Sequence, residues 1–238
     1  MMHLLRCAPC HNHPGLQEFD KTLREGLCSL TNCHISDTQW IQATLPIRDG
    51  GLGLRRVSQL ALSAFLASAA GTSQLQTIIL GGTSFACVDS VVDAARLEWC
   101  QLSNSVIPST TTAHLQRFWD APNVASDKAH VAEAASMAID KARLLAVTSA
   151  HASDWIHALP ISTCGLRLDN ETIRIAVGLR LGLELCEVHQ CPCGSTIDTR
   201  GNHGLSCRQS TGRSLRHHQL NDLYRGSTEL FAELMYPQ

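Results

Sequence analysis

Aromatic residues make up only 5% of these 238 residues, and the chain has neither a long apolar run nor an excess of charge. Each shortage excludes something. So few aromatics, set against Ala- and Leu-rich stretches such as Leu60-Ala-Leu-Ser-Ala-Phe-Leu-Ala67, argue against a β sandwich and for helices. Wholly aliphatic runs are short, as at Ile78-Ile-Leu80, so no segment reads as a bilayer span. No apolar stretch of signal-peptide length follows Met1. A formal net charge of −2 denies the chain as a whole the electrostatic footprint of a nucleic-acid binder.

Several chemical signatures are missing as well. There is no internal repeat and no low-complexity tract. Gly50-Gly-Leu-Gly53 lacks both the Lys-Ser/Thr of a phosphate-binding P-loop and the spacing of a dinucleotide fingerprint, and reads as a structural turn. No Ser-His-Asp order or paired carboxylates nominate a catalyst, so no catalytic residue is assigned. Cys7-Ala-Pro-Cys10-His11 has the spacing of a c-type haem attachment, but that chemistry needs a secretion route, and the pair reads as coincidental.

What is present is a globular composition, 44% hydrophobic, in a length that suits one large or two small domains. Eleven Cys is a high and odd number, which argues against a disulfide framework and for an intracellular protein with reduced thiols, some of them holding metal. Apolar spacing predicts helices over Phe19–Leu27, after the glycine turn through Val57, Leu60, Ala61, Ala64, Phe65 and Ser68, over Val91–Cys100, and as one long element over Asp127–Val147. The Pro- and hydroxyl-rich segment Ile107-Pro-Ser-Thr-Thr-Thr112 is a candidate boundary. A further helix is expected from Asn170, as N-cap, to a stop near Gly182, and a last one through Leu215, Leu220, Leu223 and Leu230.

Between Cys186 and Cys207 the composition changes to Cys, His, Gly and turn formers, with too few apolar residues for a core. Cys191-Pro-Cys193-Gly194, nine residues, His203, three residues and Cys207 make a Cys₃His set, suited to one tetrahedral zinc ion. Cys186 and His189 stand close enough in sequence to replace Cys191 or Cys193. From Arg200 to Arg225 five Arg oppose one acid, Asp222, a local net charge of +4. Arg208 follows the last Cys, and Arg213, Arg216 and His217 share a helical face suited to phosphates.

These motifs, in order, resemble a known family. Trp40-Ile-Gln-Ala-Thr-Leu-Pro46, Gly50-Gly-Leu-Gly-Leu54 and Ala61-Leu-Ser-Ala-Phe-Leu-Ala-Ser68 resemble the region after the palm in reverse transcriptase-like proteins of non-LTR retrotransposons. Trp155-Ile-His-Ala-Leu-Pro160, Gly165-Leu-Arg-Leu168, Arg180-Leu-Gly182, the Cys/His set and Gly212-Arg-Ser-Leu-Arg-His217 with Asn221-Asp222 resemble the linker and zinc knuckle before a restriction-like endonuclease.

The resemblance implies a mainly α fold. Residues 1–106 would form a thumb-like helical region, 107–185 a helical linker, and 186–238 a zinc knuckle, a basic helix and the truncated start of an endonuclease. It implies Cys191, Cys193, His203 and Cys207 as ligands, with Arg213, Arg216 and His217 bordering the template DNA; Arg208, beside the last Cys, is expected to join them against nucleic acid. Neither the Tyr-x-Asp-Asp type motif of the polymerase nor the carboxylates of the endonuclease is found, so a catalytically inactive fragment is expected. It would bind zinc and RNA or DNA, reside in the nucleus, and either work alone or complete a split enzyme with a partner chain carrying the missing domains. A decayed, non-functional copy is the remaining expectation.

Overall fold

A buried carboxylate organises the start of the fold. In the computed structural model, which describes residues 2–79, 81, 86–164 and 166–209, helix α2 (Pro14–Thr31) carries Asp20, only 8% exposed. Its oxygens accept from the amides of Val57 at 2.7 Å and Ser58 at 3.1 Å and from the Ser58 hydroxyl. These are the orphan N–H groups at the start of α4 (Val57–Ile79), where a negative charge is best placed. Helix α2 itself begins with Pro14, whose missing N–H costs nothing there, and ends on Asn32 in the left-handed region.

The described chain is mainly helical. Helix α1 (Met2–Cys7) packs with α2 and α4 around Leu5, Leu16, Val57, Leu60, Ala61 and Ala64. Helix α3 (Asp37–Thr44) starts with a capping box: the Ser36 hydroxyl accepts from the Gln39 amide while the Gln39 side chain accepts from the Ser36 amide. Trp40 and Ala43 of α3 then join Leu27 of α2 and Val177 and Leu181 of α9 (Asn170–Leu181) in a second core. A third core unites α4, α5 (Ala86–Ser103) and α6 (Gln116–Ala134) through Leu62, Phe65, Leu66, Trp99 and Trp119. The two indoles meet edge to face with centroids 5.0 Å apart, and each donates its N–H to a carbonyl, Trp99 to Trp119 and Trp119 to Ala113.

The Gly50-Gly-Leu-Gly53 turn is structural, as its sequence suggested. Gly50 and Gly53 have φ of 86° and 74°, and a side chain on Gly51 would strike the carbonyls of Leu45 and Gln42. Arg180, 3% exposed, fastens this turn to α9 by donating to the carbonyls of Gly51 at 2.9 Å and Ile47 at 2.7 Å and to the Ser153 hydroxyl at 2.9 Å. Gln42 adds bonds to Gly50 O and Arg180 O, both at 3.1 Å.

Two expectations need correction. The single helix expected over Asp127–Val147 is two, α6 and α7 (Ala138–Thr148), because Ala135 leaves helical geometry at ψ 73° and the chain turns through Ser136 and Met137. Apolar spacing runs on through that turn, although Val131 is buried and Leu145 is 73% exposed. Asn170 is the first residue of α9 rather than its cap: Asp169, one position earlier, accepts from the Thr172 amide at 2.7 Å. A short helix α8 (Asp154–His157) completes the helical part. None of the described helices is long and apolar enough to cross a membrane.

The contacts divide the chain into two units, Met1–Leu183 and a second that begins at Glu184. The first includes the segment beyond the 107–112 loop, where α6 packs on α3 and α4. The second contains strands β1 (His189–Gln190) and β2 (Thr196–Ile197), paired antiparallel with His189 opposite Ile197, and helix α10 (Asn202–Ser206). The final helix expected through Leu215–Leu230 lies outside the described residues.

Candidate metal centre

From Glu184 onward, Cys207 is the only buried residue among those described. A segment so poor in apolar contact needs another source of order. The β1–β2 ribbon closes through Cys191-Pro-Cys193-Gly194-Ser195, where Cys191 N donates to Ser195 O at 2.9 Å and Gly194 N to Cys191 O at 2.8 Å. Gly194 takes a φ of 89°, which lets the ribbon turn within one residue of Cys193. Two thiols therefore leave one tight turn. The other two groups come from α10: His203 lies in its first turn, and Cys207 follows its end with its amide bonded to His203 O at 2.8 Å.

The four side chains converge. One ligand atom from each of Cys191, Cys193, His203 and Cys207 lies within 4.8 Å of all the others. Cys191 Sγ is 3.6 Å from Cys207 Sγ, and Cys193 Sγ is 3.2 Å from His203 Nε2. Such distances between four donors surround a point where a metal ion could sit, and the set as a whole can hold one. The short Cys-x-Cys spacing does not prevent convergence, because the turn at Gly194 supplies the bend that a longer spacing would otherwise give.

The thiols differ in character. Ser195, through its hydroxyl and amide, stabilises the Cys193 thiolate, with a further contribution from Cys191, and brings its pKa down to about 6. The Cys193 amide favours the Cys191 thiolate too, but desolvation and the hydrogen bonds of Cys193 and Cys207 outweigh it and push the Cys191 thiol up. A thiolate already formed near neutral pH is the metal-binding form. Ser195 was not singled out from the sequence; its only signal is its place two residues after Cys193, facing back across a tight turn.

Cys186 and His189, the alternative ligands, are engaged elsewhere. The Cys186 thiol donates to the carbonyls of Asp198 at 3.3 Å and Thr199 at 3.6 Å, while His189 Nδ1 lies 2.8 Å from Glu187 O. Arg208 is exposed directly after Cys207. Arg213, Arg216 and His217 lie outside the described residues. At the other end of the chain, Cys7 is exposed and His11 Nε2 contacts Glu98 Oε2 at 2.7 Å, so the Cys7–His11 motif is not gathered into a site. No protein-family model, no curated protein and no solved structure matches the chain.

Proposed function

We propose that this chain is a catalytically inactive protein of non-LTR retrotransposon origin whose Cys/His module holds one zinc ion and grips the phosphates of RNA or DNA. The observation that carries the reading is the convergence of Cys191, Cys193, His203 and Cys207. Three thiolates and an imidazole with ligand atoms within 4.8 Å of one another suit zinc, whose filled d shell imposes no geometry of its own and whose softness matches sulfur. All four coordination positions would be taken by protein, which makes the ion structural and leaves no open position for a substrate.

Three thiolates around a doubly charged ion carry a net charge of −1, so the centre itself repels phosphate. Attraction must come from the arginines beside it. Arg208 is exposed immediately after the buried Cys207, and the sequence from Arg200 to Arg225 carries a net charge of +4. The order of motifs that resembles the retrotransposon linker supports nucleic acid as the polymer. On this reading the protein works in the nucleus.

The test is zinc content of the purified chain and of Cys207→Ser, with RNA and DNA binding measured at two salt concentrations. One zinc per chain, lost in the variant, and binding that weakens with salt are expected. No zinc and no binding would overturn the reading and leave a decayed copy without function.

One observation favours a second reading, a part of a split enzyme completed by a partner chain. The helical unit exposes Leu97, Leu102 and Leu145 to 65%, 74% and 73%, apolar side chains that a partner chain would cover. Sedimentation of the chain with a purified polymerase or endonuclease domain of such an element tests it. A stoichiometric complex with recovered activity favours the split enzyme, and independent sedimentation removes it.

A further inference from the structure

We infer that Asp198 is the positioning residue of the metal centre, holding α10 so that His203 presents its Nε2 to the three thiols. This rests on the metal-binding reading above and adds to it a residue that is not itself a ligand.

Helix α10 spans five residues, too few to persist by its own hydrogen bonds. Its N-cap is Gly201, at φ 69°, which has no side chain with which to cap it. The Asp198 carboxylate takes over that task from three residues upstream. Its Oδ1 accepts from the Asn202 amide at 3.2 Å and its Oδ2 from the Asn202 side chain at 3.3 Å. The Asp198 carbonyl accepts from the Gly201 amide at 3.0 Å and from the Cys186 thiol at 3.3 Å. One residue thus joins the turn, the first residue of α10 and the segment that precedes β1.

The segment before β1 is clamped at the same place, since the amides of Leu185 and Cys186 both donate to Thr199 O, at 2.7 and 3.0 Å. His203 is the residue next to the pinned Asn202, so its backbone is held by that anchor while its Nε2 meets Cys193 Sγ at 3.2 Å. Cys207 is less dependent on it: it lies at the far end of α10, is buried, and rests against Cys191. Cys191 and Cys193 are set by the ribbon turn, whose bonds from Cys191 N to Ser195 O and from Gly194 N to Cys191 O do not involve the Asp198 carboxylate. Losing the carboxylate should therefore loosen the imidazole and spare the thiolates.

Cobalt(II), which fills zinc sites and reports its ligands by absorption, separates these outcomes. The full chain, Asp198→Ala, Asp198→Asn and His203→Ala are titrated with cobalt and then competed with zinc. Asp198→Ala is expected to bind about tenfold more weakly, the lower end of what losing a residue beyond the ligands costs, because Asp198 acts on His203 only through Asn202. Its thiolate-to-cobalt charge-transfer absorption should remain, while its d–d bands move to those of His203→Ala. Asp198→Asn keeps an oxygen for the Asn202 amide and should recover most of the affinity. Unchanged affinity and bands in Asp198→Ala would overturn the inference, as would loss of both band types together, which marks general unfolding of the module. If the unmodified chain binds neither cobalt nor zinc, the metal reading falls and the inference falls with it.

Discussion

The two units of this chain are ordered by different means. Up to Leu183, three clusters of buried side chains hold the helices, with Leu5, Trp119, Leu66 and Leu181 all essentially inaccessible. From Glu184 the described chain buries Cys207 alone, and its order comes from a two-residue ribbon, a five-residue helix and four converging ligand side chains. On the proposed reading, bonds to one ion would stand in for the apolar area that this segment lacks.

With zinc held as proposed, removing it should break the comparison most completely. Structural zinc contributes on the order of 10 kcal/mol to small modules of this kind, far more than the few contacts left in the ribbon. Hydrogen exchange with and without a strong chelator is the measurement. Amides from Cys191 to Cys207 should lose protection, whereas those of α2 and α4, buried by residues of their own unit, should keep it. Loss of protection in α4 as well would mean that the helical unit also depends on the metal.

A smaller effect sharpens the other side. The helical unit is not held by apolar contact alone, because Arg180 donates to Gly51 O, Ile47 O and Ser153 Oγ from a position 3% exposed. Arg180→Met keeps the apolar stem but removes all of these bonds and leaves Gly51 O, in a buried turn, without this donor, while Ile47 O keeps the Gly50 amide and the Ser153 hydroxyl; the loss is about 3 kcal/mol. Arg180→Lys should recover only part of it, since an ammonium cannot fork between the turn and Ser153 as a guanidinium does. Urea unfolding followed by the fluorescence of Trp40, in the core to which α9 contributes, measures both. A lysine variant as stable as the original would reduce Arg180 to a point charge.

What the sequence made legible follows the same division. Helix α4 could be read because its apolar spacing coincides with burial, α2 because its spacing is helical even though Phe19 is exposed and only Leu27 of that face is buried, and the Cys/His set because those residue types rarely cluster without a purpose. The break between α6 and α7 could not be read: no glycine or proline marks Ala135–Met137, and the spacing continues across it. Linear spacing also left Cys186 and His189 open as ligands, since only folding shows that the Cys186 thiol is occupied by the carbonyls of Asp198 and Thr199. Arg180-Leu-Gly182 stood among the motifs of the resemblance, but nothing in the sequence marked the Arg180 side chain as buried, because an arginine in the last turn of a helix usually faces water.

The smallest effect tests whether acid acts on the two units in a fixed order. Glu98 of α5 accepts from Asn12 Nδ2 at 3.1 Å and contacts His11 Nε2 at 2.7 Å, and these bonds, Asn12's first, hold its carboxyl below the ordinary value of 4.5. A carboxyl whose folded pKa is lowered adds stability above its unfolded value and loses it as pH falls through the folded one. Glu98→Gln should therefore lower the urea midpoint at neutral pH, and the difference should shrink only below 4.5. Its side chain is 36% exposed, so water screens the tie and the difference stays small. In the metal-free chain Cys193 regains its proton earlier, as pH falls through about 6. Acid should thus disable the ligand set first and loosen α5 from the 11–12 turn second. If Glu98→Gln instead costs the same in acid as at neutrality, its shape and hydrogen bonds, rather than its charge, make the tie, and the helical unit has no acid response here to set against that of the metal module.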